Sequence, residues 1–198
     1  ADGLVFENFE VKEFDWVKKL KDKQVVAHGS DFGFTQDPTT LVSTIVDTQN
    51  KELWIYDEYY QRGMLTDEIY QMYIDKGLKN AEIIADSAEK RLITEIKRKG
   101  ISNIKPSVKG QGSIMQGVQF IQGFKIYVHP SCEHTIEELN TYTFDQDKDG
   151  NWLNKPIDEN NHILDALRYS LEKFHFPRNN KTNVNIKKNI SRAKAMGL

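Results

Sequence analysis

Three aspartates and a histidine stand where this chain could do chemistry: Asp31, Asp86, Asp165 and His162. Asp31 ends the apolar run "VVAHGSD" and is followed by Phe32-Gly33-Phe34 and a turn-forming Asp37-Pro38. Asp86 repeats that placement at the end of "EIIAD", with the small residue Ser87 after it. His162 and Asp165 are three residues apart, so on a helix they share one face, away from the stripe of Ile163, Leu167 and Leu171. A charge at the end of a buried strand is costly unless something compensates it. Three acids brought together repel one another and hold their protons more tightly unless cations sit between them. Hard divalent ions do that job, and Mg2+ suits sparse carboxylates from separate elements because it keeps several waters. Two such ions roughly 3.5–4 Å apart activate a water and stabilise the leaving oxygen of a phosphodiester. Simpler roles stay open for each residue alone. A strand-end Asp before a glycine turn also terminates strands, and a His at a helix start also caps or packs.

Other apparent motifs carry less. "DQDKDG" places Asp145, Asp147, Asp149 and Gly150 like the opening of a calcium loop, but the twelfth position is Pro156 where a bidentate Glu is needed. That segment reads as a hairpin turning at Asp149-Gly150. No GxxxxGK[ST] phosphate loop occurs, which excludes ATP hydrolysis by that route. "VKGQGSIMQG" leads through Lys109, Gly110, Gly112 and Ser113 into a helix and could hold a phosphate on backbone amides. The single cysteine, Cys132, excludes an internal disulfide and a multi-cysteine zinc site, and reads as a helix-start residue.

The elements that must position these groups follow from periodicity. Residues 23–32, 39–48 and 51–62 are three β-rich runs with short turns between them, which predicts an antiparallel meander. "LTDEIYQMYIDKG" reads as a helix capped by Thr66 and closed by Gly77. The strand "AEIIADS", a helix ending at Gly100, a strand near Ser102 to Pro106, and a helix from about Ser113 to Ile121 come next. A strand in "FKIYVHP", a helix from Glu133 to Tyr142, the hairpin and a last helix complete the pattern. In that last helix Ile163, Leu167, Leu171 and Phe174 form a stripe that Leu164 widens. Meander strands followed by alternating helices and strands predict an α/β layered domain, a mixed sheet with helices packed on its faces.

A length of 198 residues suits one domain, and 38% hydrophobic with 28% charged residues suits a soluble protein. No stretch is long and apolar enough for a membrane span, and "ADGLVFENFE" lacks the features of a secretory signal, so an intracellular location is expected. The start at Ala1 without a methionine suggests a piece of a larger polypeptide. Net charge is −2, yet residues 177–198 carry six basic and no acidic side chains. We expect a body over 1–176 and a basic, flexible tail over 177–198, able to touch nucleic acid but without an aromatic residue for base stacking.

The ordered set "GSDFGFTQDPTT", "IIADSAEKRLITEIKRKG", "IKPSVKGQGSIMQGVQFIQGFKIYVHP" and "NHILDALRYS" resembles the C-terminal nuclease domain of tailed-bacteriophage terminase large subunits. The likeness spans nearly the whole chain to about Phe176. It implies a ribonuclease H-like fold, with a mixed central β-sheet and helices on both faces. It also implies a metal-dependent DNA endonuclease that cuts concatemeric phage DNA with two divalent cations, Mg2+ or Mn2+. By position, the family's catalytic and metal-binding acids fall on Asp31, Asp86 and Asp165. His162 matches a histidine near the metals in some relatives, as ligand or proton shuttle. By the same likeness Lys105 and Lys109 face the phosphodiester, and the hairpin around Asp149-Gly150 governs DNA access. The implied partners are double-stranded DNA, a packaging ATPase domain, the small terminase subunit and the portal protein, in the host cell cytoplasm and with no membrane. A net charge of −2 departs from what duplex binding favours. Two other roles compatible with the fold are a docking module of the packaging motor that cuts nothing and a resolvase specific for branched DNA.

Overall fold

The computed structural model describes residues 2–108 and 110–176. The expected basic tail and Lys109 lie outside the described residues. A strand β1 (Phe9–Val11) and a short helix α1 (Trp16–Leu20) come first, and neither is marked by the sequence periodicity. Strands β2 (Val26–Asp31), β3 (Thr39–Asp47) and β4 (Glu52–Gln61) then form the expected antiparallel meander, with Asp31 opposite Thr40 and Thr39 opposite Gln61. β3 is buried along its whole length except Asp47. Covered on both faces, it has no reason to alternate polar with apolar residues, which is how "TTLVSTIVD" reads.

Helix α2 (Thr66–Asp75), strand β5 (Ile83–Ala85), helix α3 (Lys90–Lys99), strand β6 (Ile104–Pro106) and helix α4 (Ser113–Gln122) follow. Strand β7 (Lys125–Val128), helix α5 (Glu133–Thr141), the hairpin β8 (Phe144–Gln146) with β9 (Trp152–Pro156), and helix α6 (His162–Leu171) complete the order. The seven-stranded sheet runs β1-β7-β4-β3-β2-β5-β6. β5 is parallel to β2, β6 to β5, β7 to β4 and β1 to β7, so β3 alone runs against the rest.

Two cores hold the layers together, one on each face of the sheet. Val42, Leu53, Ile55, Val118, Ile121, Leu139, Ile163 and Leu167 pack on one face, and Leu41, Ile69, Tyr73, Ile83, Ile93 and Ile96 on the other. Neighbours Leu41 and Val42 fall in different cores, as a period of two requires. The stripe foreseen on α6 is real: Ile163, Leu167 and Leu171 are fully buried, each worth roughly 2–3 kcal/mol of hydrophobic burial.

Thr66 is not the cap of α2. Leu65 holds that position, its backbone N–H donates to Glu68 Oε2 at 2.7 Å, and the Thr66 hydroxyl donates to Glu95 instead. Gly77 does close the helix, in the left-handed region at φ +73°. Asp147 accepts at Oδ1 from the amides of Asp149 and Asn151, each at 2.9 Å, so its carboxylate shapes a hairpin tip rather than a calcium loop. Cys132 is buried at the start of α5, the structural role its position suggests.

Candidate active site

The site follows from one register and one close approach. Ser30 of β2 pairs with Ala85 of β5, and the Asp86 amide donates to the Ser30 carbonyl at 3.1 Å, so Asp31 and Asp86 leave adjacent parallel strands side by side. Such strand ends are where open α/β sheets gather ligands. Gly29 faces α6 so closely that a Cβ there would lie 1.8 Å from the Ala166 carbonyl oxygen. Asp31, two residues on, shares that face. One turn before Ala166 is His162, whose Nδ1 lies 3.2 Å from Asp31 Oδ2. The Thr40 hydroxyl donates to the His162 carbonyl at 3.2 Å and ties the helix start to β3. Eight of the ten residues of α6 are buried, and the two that are not are His162 and Asp165. The polar edge of a nearly engulfed helix is thus turned toward the acids.

Both of the other aspartates act on Asp31. Burial pushes Asp31 up to about 6; the hydrogen bond with His162 opposes this, while Asp165 and Asp86 add to it. Asp165 is also raised, by burial, against the pull of Arg168, whose Nη2 lies 3.0 Å from its Oδ1. His162 is raised above its ordinary value, chiefly by its hydrogen bond to Asp31. Asp86 Oδ1 accepts from the Ala88 amide at 3.0 Å, capping a 3-10 turn over Ser87–Glu89.

Among the described residues no three His, Cys, Asp or Glu side chains already stand together as a ready-made ligand set. Asp31 is turned to His162 and Asp165 to Arg168. The donor chemistry nevertheless fits a hard divalent ion. It consists of carboxylate oxygens from two strand ends and one helix, with the side chains of Asp31 and Asp165 largely withdrawn from water.

The two lysines expected near the phosphodiester fare differently. Lys105 Nζ donates to Glu82 at 2.7 Å, and Lys173 joins the same carboxylate at 3.1 Å. Glu82 precedes Asp86 by four residues of extended chain, roughly 13 Å, so Lys105 is drawn toward the far end of β5. Lys109 lies outside the described residues. Three further side chains stand around the site without having been assigned to it from the sequence. Asp37, read as a turn former, lies 3.5 Å from His162 Nε2. Arg168 follows Asp165 at the i+3 spacing of a helical ion pair, a signal that was there to find.

Glu138, the third, reaches from α5 and gives no sequence signal. Its carboxylate accepts from the amides of Ile163 and Leu164 at 3.1 and 2.9 Å, so it caps the helix that carries His162 and Asp165. Burial pushes Glu138 up to about 7 despite those two amides. Because its folded value lies above the unfolded one, its contribution favours the fold below about pH 4.5 and is lost as pH rises through 7. Glu138→Gln keeps an acceptor oxygen and cannot ionise. The stability difference between parent and variant should therefore shift toward the variant by on the order of 2–3 kcal/mol between pH 4.5 and 8. Urea melts at the two pH values measure this, and a pH-independent difference would refute it.

This sheet order, with helices on both faces and acids at the ends of β2 and β5, defines the class of RNase H-like nuclease domains. The chain belongs to the terminase RNase H-like domain family, whose model matches residues 31–173. It is 34% identical over 175 residues to the PBSX phage terminase large subunit of Bacillus subtilis, covering 86% of this chain and 40% of that protein. It is 28% identical to the terminase large subunit of Bacillus phage SPP1, covering 87% and 42% of the two. The chain thus spans about two-fifths of the length of the curated relatives it matches. Among solved structures, the manganese-bound nuclease domain of the SPP1 large terminase superposes with a TM-score of 0.79 at 26% identity, covering 86% of this chain and 98% of that one. The P22 large terminase nuclease domain shares the fold, with a TM-score of 0.62 at 18% identity over 88% of this chain and 94% of that one.

Proposed function

We propose that this domain is the DNA-cutting endonuclease of a viral genome-packaging motor, hydrolysing concatemeric phage DNA with two divalent cations, Mg2+ or Mn2+. Asp31, Asp86 and Asp165 would hold the ions. The observation that supports this reading is that Asp31 and Asp86 leave adjacent parallel strands while His162, on the helix that carries Asp165, lies 3.2 Å from Asp31. The manganese in the related SPP1 nuclease domain supports the class of ion. When bound, such ions activate a water and stabilise the leaving oxygen of the phosphodiester.

The chain's own residues prepare the site. Asp31 and Asp165 sit on a central strand and a buried helix, so little freedom is lost when their oxygens are engaged. His162 lies between Asp31 at Nδ1 and the more exposed Asp37 at Nε2, 3.2 and 3.5 Å away. It fixes the orientation of Asp31 and can keep a proton on the side facing solvent. Double-stranded DNA is the substrate in this assignment. The remaining motor parts, the ATPase domain, small terminase subunit and portal, are the partners, in the host cell cytoplasm. Among the described residues no helix is long and apolar enough to cross a membrane.

The purified domain should nick supercoiled plasmid in Mn2+ or Mg2+ and stop when EDTA is added. A folded preparation that cuts nothing in either ion, yet still binds portal or ATPase, would replace this assignment with that of a docking module.

A further inference from the structure

Arg168 has no part in the chemistry above, yet it is built into the site from three sides. Its Nη2 lies 3.0 Å from Asp165 Oδ1, with the two side chains only 10% and 19% exposed. Its aliphatic stem passes over Gly117 of α4, where a Cβ would stand 2.5 Å from Arg168 Cγ and 2.7 Å from Cδ, so the helix surface is flat where the stem crosses it. Its guanidinium lies 5.0 Å from the ring centroid of Tyr169. A guanidinium stays charged at every working pH. It therefore compensates Asp165 permanently, where a histidine or lysine would do so conditionally.

On the assignment of Asp165 as an ion ligand, we propose that Arg168 is the resident counter-ion of that carboxylate. It holds Asp165 while no divalent cation is bound, and it lowers the affinity of the site for the cation that takes its place. The reasoning is electrostatic. A buried carboxylate stripped of the guanidinium it pairs with is strongly destabilising, so the metal-free fold needs Arg168. Once an ion engages the same oxygens, two positive groups meet across one carboxylate, and each opposes the other. A unit charge opposing a divalent ion over that span is worth on the order of tenfold in affinity even at high dielectric. Arg168 is thus a positioning residue that trades ion affinity for stability of the ion-free domain. A merely structural arginine would affect stability alone.

The test uses Mn2+ alone, without DNA, titrated calorimetrically into folded protein, with melting curves at zero and saturating ion. Arg168→Gln should bind Mn2+ about tenfold more tightly than the parent, melt lower without ion, and gain more from saturating Mn2+ than the parent does. Arg168→Lys, which keeps the charge, should stay within about twofold of the parent affinity. Unchanged or weaker Mn2+ binding by Arg168→Gln overturns the proposal. Should that variant not fold, Gly117→Ala pushes the stem off its path from the α4 side; a gain of about threefold in Mn2+ affinity supports the proposal and an unchanged affinity overturns it. Asp165→Asn separates the two levels. No loss of Mn2+ affinity there removes the ion-ligand assignment and this inference with it. A loss in Asp165→Asn without a gain in Arg168→Gln removes this inference alone.

Discussion

Asp31→Asn is expected to lower ion-dependent plasmid cleavage by at least about a thousandfold while raising the melting temperature of the ion-free protein at pH 8. The first half follows from the proposed function: Asp31→Asn would remove one oxygen ligand of a centre whose ions would each contribute several kcal/mol of charge stabilisation, with every 1.36 kcal/mol worth tenfold. The second follows from the burial that pushes Asp31 up to about 6. A carboxyl raised in this way favours the fold below its unfolded value near 3.8 and loses that contribution as pH rises through 6, so at pH 8 the ionised side chain is a burden. Asparagine is isosteric, neutral and still able to accept from His162. Relief of roughly 2 kcal/mol corresponds to a Tm rise of several degrees for a domain of this size, fading below about pH 4. Parallel plasmid assays and melting curves at pH 8 and pH 4 measure both halves. Cleavage at the parent rate would remove Asp31 from the site, and a lower Tm at pH 8 would mean that the His162 contact outweighs the burial.

The parts of this arrangement legible in the sequence are those set by local period and local punctuation. β2, β3 and β4 announce themselves as β-rich runs with turns between them, and α6 as a stripe of Ile163, Leu167 and Leu171 with His162 and Asp165 off it. The placement of Asp31 and Asp86 at strand ends was equally plain. Their adjacency was not, because it depends on β5 returning to pair beside β2, a non-local choice that no window of residues records. β1 was invisible for the same reason. It has three residues, and its partner β7 lies more than a hundred positions away. The cap of α2 was misassigned because threonine is the better cap by type, whereas the backbone of Leu65 uses Glu68. Lys105 looked available for a phosphate because nothing in its own segment hints that Glu82 would claim it. Glu138 reaches the α6 start from another helix, 25 residues earlier in the chain.

The other large effect is expected at a residue that has no side chain. Gly29→Ala places a methyl 1.8 Å from the Ala166 carbonyl oxygen and 2.7 Å from its carbon, in the seam where α6 lies against β2. Those atoms are backbone, so no rotamer change relieves the clash, and β2 lies between β3 and β5, so the strand cannot retreat either. α6 has to lift, opening the layer filled by Ile163, Leu167 and Leu171. The cost should be about 4 kcal/mol or more, in the range reserved for severe overpacking. That predicts a fall in Tm of more than 10 °C or a loss of soluble protein. Gly110→Ala is the matched control, since a Cβ there meets nothing within 4 Å, and it should melt within a degree or two of the parent. Circular-dichroism melts of the two variants decide the matter, and a Gly29→Ala protein as stable as the Gly110→Ala protein would mean that α6 does not rest on β2 as closely as described. The functional consequence follows from which helix moves: α6 carries His162 and Asp165 against Asp31, so any Gly29→Ala protein that survives should bind Mn2+ more weakly, although the substitution touches none of the carboxylates.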